Sequence, residues 1–321
     1  MTALLNAVSA AGARLGKASH GRIAFDARQA LSRHDDLALG APGLWSPNRH
    51  CRLIPCRDAW IAVSLARAED RDMVPAWTGA GFDADIWQAV MESAAGREAA
   101  EMTASGVALH LPVARVGEAR PPKPEPLRAG DGDGGGVVDL SALWAGPYCG
   151  GLLAEAGFDV VKIESPARPD PTPLHTPRLD ARLNGRKRRL TMALASPDLI
   201  ERIAGARILI TAARAHALAR LGLSEERLFA VNPGLLWIAV TAHGWRKEAA
   251  MRVGFGDDCA AAGGLLRREE GAPRFMGDAL ADPLTGLTAA TLALEAVEAG
   301  QCGLLDISLA RTAAAFAEAL R

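Results

Sequence analysis

Aromatic residues make up only 5% of the 321-residue chain, against 49% hydrophobic residues overall. That balance still buries one or two ordinary soluble cores, and it excludes disorder and collagen. Net charge is nearly absent: 36 Lys+Arg face 37 Asp+Glu, leaving −1. No global field draws the chain to nucleic acid or to an anionic membrane, so any basic site has to be local. No uncharged apolar stretch approaches the roughly 18 residues of a membrane span. The start, MTALLNAVSAAGARLG, lacks a positive n-region, and Asn6 and Ser9 interrupt its apolar run, so no secretory signal is expected. The five cysteines, Cys51, Cys56, Cys149, Cys259 and Cys302, form no C-x-x-C pair, and a reducing cytoplasm is the simplest setting.

Signature motifs are missing as well. There is no G-x-x-x-x-G-K-[ST], no H-E-x-x-H, no G-x-S-x-G and no G-x-G-x-x-G at the first helix of the sheet, which removes the main support for ATP, NAD and serine-hydrolase chemistry. The seven histidines show no ligand spacing, so a metal site would have to be assembled by the fold alone, and none is expected.

What is present divides at residues 117–136, GEARPPKPEPLRAGDGDGGG, a Pro-to-Gly stretch without apolar periodicity that reads as an interdomain linker. Before it, residues 1–45 read as a helical segment packing on the larger domain and 46–116 as a small α+β domain. In the latter, RLIPC and WIAVSL form a hairpin around Arg57-Asp58, residues 83–104 form one or two helices, and VALHLPVA at 107–114 forms a strand. From 137 the pattern turns to strand alternating with helix, the mark of a parallel sheet covered on both faces. VVDL, VVKIE, LTMAL, ILIT, LLWIAVT and LLDISL supply the strands; helices open at Ser196-Pro197-Asp198, after Ser224 and at Asp282-Pro283. Residues 165–183, with five prolines and no periodicity, read as a long loop at the carboxyl edge of the sheet, where such folds bind ligands.

Two features bear on chemistry. Arg186 to Arg189, after Asn184-Gly185, are either a solvated loop or an anion clamp supplying charge-assisted donors. Asp282, in ADPLTGL, is placed as the N-cap of a helix with Pro283 first inside it; that is either simply a good cap or a carboxylate held ionised where nearby N–H groups stabilise charge on an attacked thioester.

The stretch VVDLSALWAGPYCGGLLAEAGFDVVKIESP resembles the opening of family III CoA-transferases, the CaiB/BaiF family, and LNGRKRRLTMAL, ARLGLSEERLFAVNPGLLWIAVTAHGW, VGFGDDCAAAGGLL, GDALADPLTGLTAATLALEA and GLLDISLARTAAA resemble later blocks in order. The resemblance implies a Rossmann-like parallel-sheet CoA-binding α/β domain at 137–321, preceded by the family's small α+β domain, so that the chain looks circularly permuted around 117–136. It implies an acyl-CoA and a carboxylic acid as substrates, no permanently bound cofactor, no metal, no nucleic acid or membrane partner, a cytoplasmic location and a homodimer. Asp282 would be the nucleophile, passing through an aspartyl-CoA thioester. CoA would lie along Leu143, Trp144, Asn184, Arg186, Lys187, Arg214 and Arg220. Where the family often has Arg after K-I-E this chain has Ser165, and Ala212-Ala213 and Val253 replace other family residues; a non-catalytic CoA-binding or scaffold subunit is the alternative. Racemase chemistry needs a histidine that Gly254-Phe255-Gly256 does not provide.

Overall fold

A computed structural model describes residues 2–123, 126–130, 132 and 134–320. The N-terminal helix Thr2–Ala18 carries Leu4, Val8 and Leu15 on one stripe and buries them in the same core as the large sheet's helices. Next comes a three-stranded antiparallel sheet of β1 (Cys51–Pro55), β2 (Trp60–Ser64) and β3 (Val113–Arg115), in that order. Alternation divides its faces. Ile54, Ile61 and Val63 pack under the helices Ile86–Gly96 and Ala99–Ala108, while Cys51, Leu53 and Ala62 pack on Ala261 and Phe275 of the larger half. The expected strand at 107–114 is shorter: the helix runs through Ala108, His110 turns the chain at φ 58°, and pairing starts only at Val113.

The linker is not structureless. Its Gly117 and Ala119 donate backbone N–H groups to Ala261 and Ala262, and β4 (Arg128–Ala129) pairs antiparallel with the last strand of the large sheet. Pro124, Glu125, Asp131 and Asp133 of the proposed linker lie outside the described residues.

The remaining strands are β5 (Val137–Asp139), β6 (Val160–Glu164), β7 (Arg188–Thr191), β8 (Ile208–Thr211), β9 (Leu236–Thr241), the hairpin β10 (Arg267–Glu269) and β11 (Ala272–Arg274), and β12 (Gln301–Ser308). The large sheet has the order β4-β12-β9-β8-β5-β6-β7, parallel except at β4. From β5 the chain winds outward to β7, then returns and winds the other way from β8 to β12. Such sheets open a crevice at the carboxyl ends where the direction reverses, here between β5 and β8. β8 is buried throughout and β9 up to Val240, so both are covered on both faces. The helices Ala145–Glu155, Ala281–Glu298 and Leu309–Ala319 cover one face, and Pro197–Ala204 and Glu225–Val231 the other.

Two expectations shift. β7 begins at Arg188 and ends at Thr191, taking in half the basic run and only the first two residues of LTMAL. The proline-rich 165–183 is not one loop: it holds the helices Thr172–His175 and Pro177–Asn184, whose prolines sit in first turns where no N–H is missed. No helix among the described residues is long and apolar enough to cross a membrane.

Candidate active site

Two buried lysines build the floor of the crevice. Lys187 gives its ammonium to Asp139 at the end of β5 (2.7 Å), to Pro147 O (2.7 Å) and to Asn184 Oδ1 (2.8 Å). Lys162 in β6 bonds Ser141 O (2.7 Å) and Asp170 (3.0 Å), with neither side chain of the pair exposed beyond 1%. Burial alone would raise both carboxyls, but Lys187 and Lys162 hold Asp139, and Lys162 holds Asp170, below the ordinary range. Asp170 in turn accepts from Leu143 N (3.3 Å), fixing Leu143 at φ 69° with its side chain exposed. That left-handed conformation is costly for leucine and persists because its surroundings impose it.

Trp144 follows, buried, with no hydrogen-bond partner for its Nε1–H among the described residues. The Arg33 guanidinium lies 5.1 Å from the Trp144 ring centre. Arg33 also donates to both oxygens of Asp278 (2.5 and 3.1 Å) across 245 residues of sequence.

Asp282 stands beside this pair. It is not the N-cap: Leu280 takes that place and Asp282 falls in the first turn of Ala281–Glu298. The cause is Ala279, which sits at φ 45°, donates its N–H to Asp257 (2.7 Å) and accepts from Asp282 N (2.9 Å), starting the helix early. The helix then lies tightly on Ala145–Glu155, since a Cβ on Gly286 would come within 2.6 Å of Ala145 O. Opposite, a Cβ on Gly256 would overlap Asp282 Oδ2 and lie 2.5 Å from Ala279 O, so glycine there is a requirement of the site.

Asp257, Asp258 and Asp278 surround Asp282. Asn48 Nδ2 bridges Asp257 and Asp278 at 2.7 Å each, and Asp258 accepts from Ser64 Oγ (2.7 Å) and Phe255 N (2.9 Å). The Asp282 carboxylate alone among these four makes no side-chain hydrogen bond within the described residues. Burial pushes its carboxyl up to about 8, with Arg33 opposing and Asp257, Asp278 and Asp258 adding to the rise. Burial likewise lifts Asp257 to about 7, aided by Asp278, and Asp258 to about 6. Arg33 acts on three of these four carboxyls, Asp278 through direct hydrogen bonds and Asp257 and Asp282 through its charge, while at Asp258 the opposing cation is Arg252.

The other expected ligand contacts divide. Arg214 opens the helix after β8 and shares one cationic field with Arg67, Arg168 and Arg220; Arg214, Arg168 and Arg220 have no acidic partner among the described residues. Arg214 also approaches His110 (3.4 Å). Leu143 and Trp144 follow β5 and Arg214 follows β8, on the two sides of the switch point, and Arg220 ends the helix that Arg214 opens. Asn184 and Lys187 differ: their polar atoms are spent on Asp180, Asp139 and Pro147, and they are the floor, not a clamp. Arg188 and Arg189 pair with Asp159 and Asp180, and Arg186 lines a separate recess with Tyr148, Arg182 and Gln29. No local pattern in the sequence marks Arg33, Asn48, Ser64 or Arg67, since their contacts at the site are made across the whole chain.

A family model described as CoA-transferase family III matches residues 133–320. The chain is similar to succinyl-CoA–D-citramalate CoA-transferase of Chloroflexus aurantiacus, 31% identical over 209 residues, 59% of this chain and 50% of that one. It is also similar to succinate–glutarate CoA-transferase of Agrobacterium fabrum, 26% identical over 197 residues, 54% and 49% of the two chains. The crystal structure of the hypothetical protein Rv3272 from Mycobacterium tuberculosis superposes with a TM-score of 0.51 at 25% identity, covering 61% of this chain and 57% of that one. The chain spans about half the length of the curated relatives it matches.

Proposed function

The chain belongs to CoA-transferase family III, and from that premise we propose that it moves CoA from an acyl-CoA thioester to a free carboxylic acid with Asp282 as the nucleophile. The observation that carries this reading is that Asp282 is the one carboxylate of its cluster left without a hydrogen bond, at the switch-point crevice and against a glycine. Ionised Asp282 attacks the thioester carbonyl; the C–S bond breaks, giving an aspartyl–acyl anhydride and CoA thiolate. The thiolate attacks the aspartyl carbonyl and expels the acyl group as a free carboxylate, leaving aspartyl-CoA. An acceptor carboxylate repeats the two steps in reverse and leaves as the new acyl-CoA. CoA is never released to water.

CoA fits the crevice between Leu143 and the arginines after β8, its phosphates against Arg214, Arg220, Arg168 and Arg67 and a polar atom on the orphaned Trp144 N–H. The raised Asp282 carboxyl makes proton loss part of activation, so kcat/KM climbs with pH toward about 8. The relatives' names make succinyl-CoA with a dicarboxylate acceptor the first pair to try. We read 46–116 as the family's small domain carried to the front by permutation, joined by 117–136, and the assembly as a homodimer.

The test is intact-mass spectrometry after incubation with a panel of acyl-CoAs, with hydroxylamine trapping and peptide mapping. A CoA adduct or hydroxamate on Asp282 is expected, and Asp282→Asn should lose transfer by at least about three orders of magnitude, ~4 kcal/mol. Full activity in that variant overturns the assignment. CoA binding without an adduct from any donor points instead to a non-catalytic subunit.

A further inference from the structure

Behind the glycine loop three side chains converge, of which only Asp258 bears on the transfer site, through its charge on Asp282. His243, just past β9, and Asp258 and Cys259, in the helix Gly256–Ala262, place one ligand atom each within 4.8 Å of one another, all buried. Three observations single the group out. His243 Nε2 is buried with no hydrogen-bond partner among the described residues, an expensive state for an imidazole nitrogen. Asp258 uses Oδ1 for both Ser64 and Phe255, so among the described residues the one hydrogen-bond partner of Oδ2 is the Cys259 sulfur, at 3.8 Å. Gly254 leaves a cradle over the same atoms: a Cβ there would lie 2.7 Å from Cys259 Sγ and 2.8 Å from Asp258 Oδ2.

We propose that His243, Asp258 and Cys259 form a binding site for a divalent cation of the zinc type. One imidazole nitrogen, one carboxylate oxygen and one sulfur are the donor mixture that borderline-soft cations select over calcium or magnesium. With bonds of about 2.0 to 2.3 Å, a tetrahedral shell brings its ligands to roughly 3.3 to 3.8 Å apart, so small side-chain shifts close this triad and leave one position for water. Binding displaces the thiol proton, and the carboxyl proton where present, to solvent, and the ion takes the lone pair of neutral His243. The nearby Arg252 and Arg311 do not oppose it strongly, since Glu118 and Asp306 respectively neutralise them. Bound there, the ion ties the end of β9 to the helix Gly256–Ala262 and so fixes the intervening segment with Gly254, Phe255 and Gly256, the wall of the Asp282 site.

The experiment uses the full chain, stripped with chelator and titrated with zinc and with cobalt(II). Expected are one equivalent bound per chain, a cobalt–thiolate charge-transfer band, and a melting temperature raised by several degrees. Cys259→Ser should abolish the band, His243→Phe should abolish stoichiometric binding, and Gly254→Ala should weaken binding by filling the cradle with all three ligands kept. Cys302→Ser, in a buried cysteine elsewhere, should change none of these. Absence of stoichiometric binding and of the cobalt–thiolate band in the unsubstituted chain overturns the site even if a variant fails to fold. An unaltered band in Cys259→Ser overturns it equally. Neither result touches the CoA reading, which rests on Asp282.

Discussion

Beneath the crevice and at its rim the same residue type meets opposite environments. Under the crevice, Asp139 and Asp170 are matched one to one with Lys187 and Lys162 and are held ionised. At the rim, Asp257 and Asp258 are buried and Asp282 is partly so, none of the three makes an ion pair among the described residues, and their carboxyls rise to about 7, 6 and 8. Burial is common to both, so the difference lies in the count of cations. The floor is built to stay charged and rigid, and the rim is built to exchange a proton.

The largest effect expected from breaking this contrast is on the floor. Lys187→Met removes the bonded cation of buried Asp139, leaving it only the charge of Lys162, and should cost about 3 to 5 kcal/mol of unfolding free energy in denaturant titration. The pH dependence of stability separates the two regions next. Raised carboxyls bind protons more tightly in the folded state, so the rim's contribution falls as pH rises from about 4 through 6, 7 and 8, by up to roughly 1.4 kcal/mol per pH unit for each group while it titrates. The depressed Asp139 and Asp170 do the reverse, and their contribution is lost only as pH falls below about 4. Melting temperature should therefore peak in mildly acid buffer; a peak at pH 8 or above would contradict the rim assignment.

Asp257→Asn sharpens the comparison at a single site. Removing one negative neighbour should lower the Asp282 carboxyl and move the acid limb of the kcat/KM profile by about one pH unit toward acid, read from a pH–rate series. The smallest effect belongs to the surface. Arg188→Ala breaks a pair with Asp159 that is more than 60% exposed on both sides, and should leave the melting temperature unchanged within measurement error.

How much of this was legible depended on the range of the interactions. Local periodicity placed β5, β6, β8 and β9 within a residue, and Ser196 and Ser224 as caps, because those choices depend on neighbours in sequence. It misplaced the start of the Asp282 helix, since Ala279 adopts φ 45° only because Asp257 holds its N–H. It read Lys187 as one cation of a solvated or phosphate-binding run, because nothing adjacent shows that Asp139 lies beneath it.

Short-range preference and pattern set the alternation that makes a doubly wound sheet, the blocks that carry the family resemblance, and the position of Asp282 at a helix start. Tertiary structure alone decided which basic residues face the crevice, that Arg33 and Asn48 reach Asp278 from more than two hundred residues away, and that His243 meets Cys259. Those outcomes depend on which surfaces the packed core brings together, and charges made neighbours by packing leave no trace in the spacing of residues along the chain.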